Sequence, residues 1–286
     1  MIRGPVRDRR IRGPTPRGCE SSRRCTARHS RHHTTNPPTL LPLRYPAPVL
    51  PVINLNNADS VIGVLDSAAE QMRSDERRVG CCVHLPARGR LLASGDLHDN
   101  PFHLQRIIAA ARLDASRDHC VTLQELIHGE MLINGRDFSY RMLVRAAQLI
   151  LGHPDQVHVL LANHEIAQLT GKGVSKGAGN SVELFNDALA FTFAERSDAV
   201  LEAVGRFIRA LPLAVMSEGG VMCAHSLPSH AMMPKFDPDV LDRALTDDDY
   251  RSPTGAAYMM TWGRDHRDEE VARLAEHWGV EWFCLG

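Results

Sequence analysis

Four short polar clusters, each closing a run of apolar residues, constrain this chain more than any other feature. They are Gly95-Asp96-Leu97-His98, Leu123-Gln124-Glu125, Ala162-Asn163-His164-Glu165 and Cys223-Ala224-His225-Ser226. The apolar runs read as buried strands, so each cluster falls where a strand ends. Between them lie segments with helical spacing. Strands that alternate with helices specify an α/β fold, in which the ends of neighbouring strands meet at one rim. Carboxylate, imidazole and amide groups gathered at such a rim are the ligand types that divalent cations take.

The element pattern follows from spacing and capping. Val61, Ile62, Val64 and Leu65 share one helical face, with Asp59 as the expected N-cap. Short strands are expected over 79–85 and 90–94, then a helix over 102–113 after Asn100-Pro101, with Pro at its first position. A strand over 120–123, a helix over 140–151, a strand over 157–161 and helices over 181–193 and 199–211 come next. Residues 213–216 and 221–224 read as a hairpin across Glu218-Gly219-Gly220. A helix over 268–278 precedes a last strand over 280–285. Gly171 to Gly177 is glycine-rich and carries Lys172 and Lys176, but its spacing is not that of a phosphate-binding P-loop.

Composition bounds what kind of object carries these elements. The chain has 286 residues, 43% hydrophobic, enough for one large α/β domain. Net charge is −1, yet residues 1–45 are crowded with Arg against only Asp8 and Glu20, so a basic tail offsets an acidic body. Lysine is confined to Lys172, Lys176 and Lys235. Residues 1–55, rich in Arg, Pro, Ser, Thr and His, lack any period and are expected to be disordered. An extension upstream of the true start, a leader sequence and a basic arm all fit them. Residues 56–286 are expected to form the catalytic domain. The seven Cys are odd in number and without zinc-site spacing, as in a reducing compartment. No apolar stretch is long enough for a membrane span. A cytoplasmic protein follows, with neither membrane nor nucleic acid expected as a partner.

Asp96 and His98 are two residues apart, which on extended backbone puts both side chains on one side. Asn163 and His164 are adjacent, which on extended backbone points them oppositely, one toward a metal and one toward substrate. His225 closes the second strand of the hairpin.

In this order the motifs resemble the calcineurin-like metallophosphoesterases, in particular their serine/threonine protein phosphatase-like branch. That family has Gly-Asp-x-His, Gly-Asp-x-x-Asp-Arg-Gly, Gly-Asn-His-Glu, a His after a strand and a final Gly-His or Ala-His. The match spans roughly residues 90–286 and includes Trp262-Gly263. The resemblance implies two mixed β-sheets packed as a sandwich with flanking helices. It also implies two divalent cations (Mn, Fe, Zn or Mg) that hold a bridging hydroxide nucleophile. Asp96 and His98 would bind the first cation, Asn163 and His225 the second, and Glu125 would bridge them, with Asp96 also acting in catalysis. His164 would be the general acid. The substrate would be a phosphorylated protein or small molecule.

The sequence departs from the family in four places. Glu125 replaces an Asp, so the bridging group is one methylene longer. His128 stands where an Asp would orient the catalytic His, and Gly129 where an Arg would grip phosphate. Arg136, Arg141 and Lys176 are the candidates to restore that charge, and Arg141 and His128 the candidate substrate-binding residues. The final His is absent after the strand 281–285. The last strands of the sandwich are therefore expected to be missing and the chain to continue past Gly286; His266 and His277 are the nearest substitutes. The alternative is a catalytically impaired relative that acts as a binding module.

Overall fold

A computed structural model describes residues 2–3, 52–173, 175–176 and 179–286. Most of residues 1–55, for which disorder is expected, lies outside the described residues. In chain order the elements are β1 (Ile2–Arg3), α1 (Ala58–Arg73), β2 (Arg78–Val79), β3 (Cys82–Leu85), β4 (Arg90–Asp96), α2 (Pro101–Ala111), β5 (His119–Gln124), α3 (Tyr140–Gly152), β6 (Val157–Leu160) and α4 (Asn163–Thr170). They continue with β7 (Ser175–Lys176), β8 (Gly179–Asn180), α5 (Ser181–Phe193), α6 (Ser197–Ala210), β9 (Ala214–Ser217), β10 (Val221–Ala224), α7 (Ala256–Trp262), α8 (Asp268–Trp278) and β11 (Trp282–Cys284).

The fold is α/β. One sheet is mixed, with strand order β1-β11-β10-β9-β3-β2, and the other has the order β4-β5-β6. The expectation of two mixed sheets is corrected for the second, whose strands are all parallel. The cause is connectivity: α2 lies between β4 and β5 and α3 between β5 and β6, and a helical crossover returns the chain to run the same way. The sheets meet across a thin layer in which Val83, Leu85, Val215 and Cys223 of the first sheet face Cys120 and Leu160 of the second.

Helices build the main core. On α1 the buried residues are Val61, Val64, Leu65, Ala68, Ala69 and Met72, an i, i+3, i+4 stripe. Each large side chain of such a stripe contributes about 1.5–3 kcal/mol by leaving water. The stripe packs on α3 and α6. The cap of α1 differs from expectation: the Asn57 side chain accepts from the Ser60 N–H at 2.8 Å, and Asp59 lies inside the first turn. Ile53 and Leu55, just upstream, pack against this core.

The strand expected over 79–85 is broken at Gly80, which has a φ of 56° and lies so close to the backbone of residues 241–243 that a Cβ would clash. Among the described residues no helix is long and apolar enough to cross a membrane.

Candidate metal centre

The rim is built where β4, β5, β6 and β10 end. β4 loses register with β5 between Ala93 and Asp96, a bulge that re-aims the strand end at Gly95. Beyond it His98 and Asp99 take left-handed φ values of 43° and 52°. On the neighbouring loop Glu125 and His128 do the same, at 47° and 61°. Non-glycine residues pay roughly 1–2 kcal/mol each for that conformation, so the surroundings must hold it. They do so through backbone hydrogen bonds between the two loops. The His98 N–H donates to the Glu125 carbonyl at 2.8 Å and the Asp99 N–H to the Leu126 carbonyl at 2.8 Å. The Glu165 carboxylate accepts from the Leu126 N–H at 2.8 Å and the Ile127 N–H at 3.4 Å.

The side chains converge on Glu125. Its Oε1 lies 3.4 Å from His98 Nε2 and 3.2 Å from His164 Nε2. Its Oε2 lies 3.3 Å from His225 Nε2. His225 Nδ1 is 3.7 Å from Asp96 Oδ1, and His225 Nε2 is 2.6 Å from the Asn163 side-chain oxygen. Two donor groups result, His98–Glu125–His164 and Asp96–Glu125–His225, each with its ligand atoms within 4.8 Å of one another. All six expected site residues, Asp96, His98, Glu125, Asn163, His164 and His225, therefore come together.

The backbone decides which of these donors lie nearest one another. The left-handed turn at His98 sends its ring to His164, while Asp96 joins His225; the extended backbone assumed for the pair does not exist. Asn163 and His164 are likewise not extended. They open α4, where helical steps fan the side chains around the axis rather than opposing them.

Electrostatics favour a cation here. Burial, then Asp96 and Glu165, push the Glu125 carboxyl up to about 9. Burial pushes the Glu165 carboxyl up to about 7, against the pull of the Leu126 and Ile127 N–H groups. Burial lowers His225 to about 4, so its ring is neutral at pH 7 and able to ligate. Crowded carboxylates and neutral imidazoles are the donor set of Mn, Fe, Zn or Mg sites, and the residues fit a pair of such ions that shares Glu125. Asp96 and His98 form the accessible side; Glu125, Asn163, His164 and His225 are buried.

The remaining expected residues are dispersed around this core. His128 is buried, with Nδ1 2.8 Å from Asp137 Oδ2 and its ring 5.4 Å from the His164 ring. Arg141 lies over the Phe138 ring at 4.6 Å and acts on Asp99, whose carboxyl burial raises to about 6. Arg136 lies over Phe191. The Lys176 side chain lies outside the described residues. His277 pairs with Asp239 at 2.9 Å and His266 lies near the Pro228 carbonyl, so neither enters a donor group.

Sequence reasoning missed three participants. Arg264, exposed just after Trp262-Gly263, acts electrostatically on both Glu125 and His225. Gln124 reaches His225 Nδ1 with its side-chain oxygen at 3.0 Å and donates to the Ser94 carbonyl at 2.6 Å. Glu165 pins the Glu125 loop. Gln124 and Glu165 stand inside the polar clusters and Arg264 directly follows Trp262-Gly263, and that placement was the available signal for each.

No family model and no curated protein matches the chain. Among solved structures, it is similar to a protein serine/threonine phosphatase from Saccharomyces cerevisiae at 15% identity and TM-score 0.47, over 75% of this chain and 58% of that one. It is also similar to a cold-active protein-tyrosine phosphatase of a psychrophilic Shewanella species at 14% identity and TM-score 0.46, over 71% and 66%. A point mutant of a cold-active protein tyrosine phosphatase gives TM-score 0.50 at 14% identity, over 71% and 66%. The chain thus spans 58% to 66% of the length of these solved chains. At 14% identity the last of these likenesses, with its TM-score of 0.50, is one of fold alone.

Proposed function

We propose that this chain is a metal-dependent phosphoesterase of the calcineurin-like, serine/threonine protein phosphatase-like kind. The observation that carries the reading is Glu125, whose two oxygens each serve one donor group. A carboxylate shared in this way is what a two-cation site needs at its centre. When bound, two divalent cations supply positive charge for the phosphoryl oxygens and lower the pKa of water.

The chain's own residues do the rest. Asp96, His98, Glu125, Asn163 and His225 would hold the cations and so set the orientation of the phosphoryl group. His164, whose Nε2 lies 3.2 Å from Glu125 Oε1 inside the His98–Glu125–His164 group, carries the proton that the leaving oxygen requires. Asp137 holds His128 in one orientation behind the His164 ring. Arg264 replaces the charge that Gly129 does not provide. The substrate is a phosphomonoester on a protein or a small molecule, and a reducing compartment such as the cytoplasm suits the free thiols of Cys81, Cys82, Cys120, Cys223 and Cys284.

The test is hydrolysis of para-nitrophenyl phosphate with and without Mn²⁺, alongside elemental analysis. Bound metal with Mn²⁺-dependent turnover is expected, and Glu125→Ala should remove both. No turnover in any cation rejects the phosphoesterase, and the lack of any bindable metal favours the binding module.

A further inference from the structure

Away from the donor groups, a cleft of about 760 Å³ opens between the two sheets. Leu85, Leu91, Cys120, Cys223, Trp282 and Cys284 are among its lining residues. Cys223 on β10 and Cys284 on β11 are direct partners in the parallel register. Partners on adjacent strands lie about 4.7–4.9 Å apart, inside the Cα separation of about 4.4–6.8 Å that disulfides span, and their side chains leave the same face of the sheet. The register sets the two residues side by side. Cys284 is half-buried and Cys223 lies behind it in the cleft wall.

We infer that Cys223 and Cys284 form a reversible disulfide when the protein meets a hydroperoxide. Cys284, the more exposed of the two, is the thiol that a peroxide reaches, and it attacks as its thiolate, a form the neighbouring Cys223 thiol favours. Its sulfur bonds to one peroxide oxygen, the O–O bond breaks, and the departing hydroxide takes a proton to become water. Cys284 is now a sulfenic acid. The Cys223 sulfur then attacks that sulfur. The S–S bond forms, the S–O bond breaks, and the second hydroxide leaves with the Cys223 proton as water. The two thiols give up two electrons, which reduce the peroxide to two waters.

The position gives the bond a consequence. Cys223 lies two residues before His225, and the Gly286 N–H, two residues past Cys284, donates to the His225 carbonyl at 3.0 Å. A covalent tie between β10 and β11 therefore restrains the backbone that carries His225.

The experiment treats the fully reduced, full-length chain with equimolar hydrogen peroxide, blocks remaining thiols and maps peptides by mass spectrometry. Expected is a linked pair of peptides bearing Cys223 and Cys284, lighter by two hydrogen atoms and restored by dithiothreitol. Two of the seven thiols should disappear. Cys223→Ser should divert Cys284 to sulfinic acid, and Cys284→Ser should leave Cys223 reduced. The wild-type map decides alone if either variant fails to fold. Both cysteines still free, Cys284 joined to another cysteine, or Cys284 as sulfinic acid in the wild type would overturn the inference.

Discussion

Single side chains set the character of the rim. Glu125 belongs to both donor groups, so Glu125→Gln, which keeps the shape but has no proton to give up to a cation, is expected to lower Mn²⁺ affinity by at least about tenfold, read by calorimetry. Away from the rim, His158 is buried, and desolvation with the nearby Arg77 guanidinium lowers it to about 4. The folded protein keeps this ring neutral, while the unfolded chain protonates it below its ordinary value near 6.5. Stability from His158 is thus fully present above pH 6.5 and is lost as pH falls toward 4. Between pH 7 and pH 5 the loss is about 2 kcal/mol. Urea midpoints at the two pH values should show it, and His158→Gln should flatten the difference.

At the scale of elements, legibility followed the strength of the local signal. The long helices α1, α3, α5 and α6 carry strong 3.6-residue stripes, and the hairpin β9–β10 carries Gly219-Gly220, so they could be read from the sequence. The turn at His98 could not. Nothing in Leu97-His98-Asp99 calls for two left-handed residues in succession; only the partner loop's carbonyls impose them. The short α4 was hidden for a similar reason. Its first turn is Asn163-His164-Glu165, which reads equally as a polar loop, and Ala162 offers no side-chain cap. The six clustering residues were visible because each ends an apolar run, but their pairing depended on these two backbone features. Two predictions belong here. Glu165→Ala removes the acceptor for two buried N–H groups and should cost about 1–3 kcal/mol, read by thermal denaturation, with a fall in metal affinity. Asn57→Ala removes the cap of α1 and should cost about 1 kcal/mol.

Across the whole molecule, the parallel sheet delivers its strand ends to the rim while its other ends face the cleft, and the mixed sheet adds His225 from β10. The site therefore belongs to no single segment, and its strength depends on both sheets staying in register. Cations that bind only the folded arrangement should stabilise all of it. At a Mn²⁺ concentration a hundred times Kd the gain is about 2.7 kcal/mol, visible as a rise in Tm that a chelator reverses and Glu125→Ala abolishes. Arg264, reached from the other end of the chain through Trp262-Gly263, acts electrostatically on Glu125 and His225, and under the proposed function it would meet the phosphate. Arg264→Ala should raise KM more than it lowers kcat.

One shared carboxyl group has a further consequence for how the rim fills. Burial and the nearby Asp96 and Glu165 carboxylates favour the protonated form of Glu125, so on the proposed two-cation reading the first cation to arrive would displace that hydrogen. The second finds the oxygen already bare. Occupancy should thus proceed in two thermodynamically unlike steps, and calorimetric heats for the first alone should shift between buffers of different ionisation enthalpy.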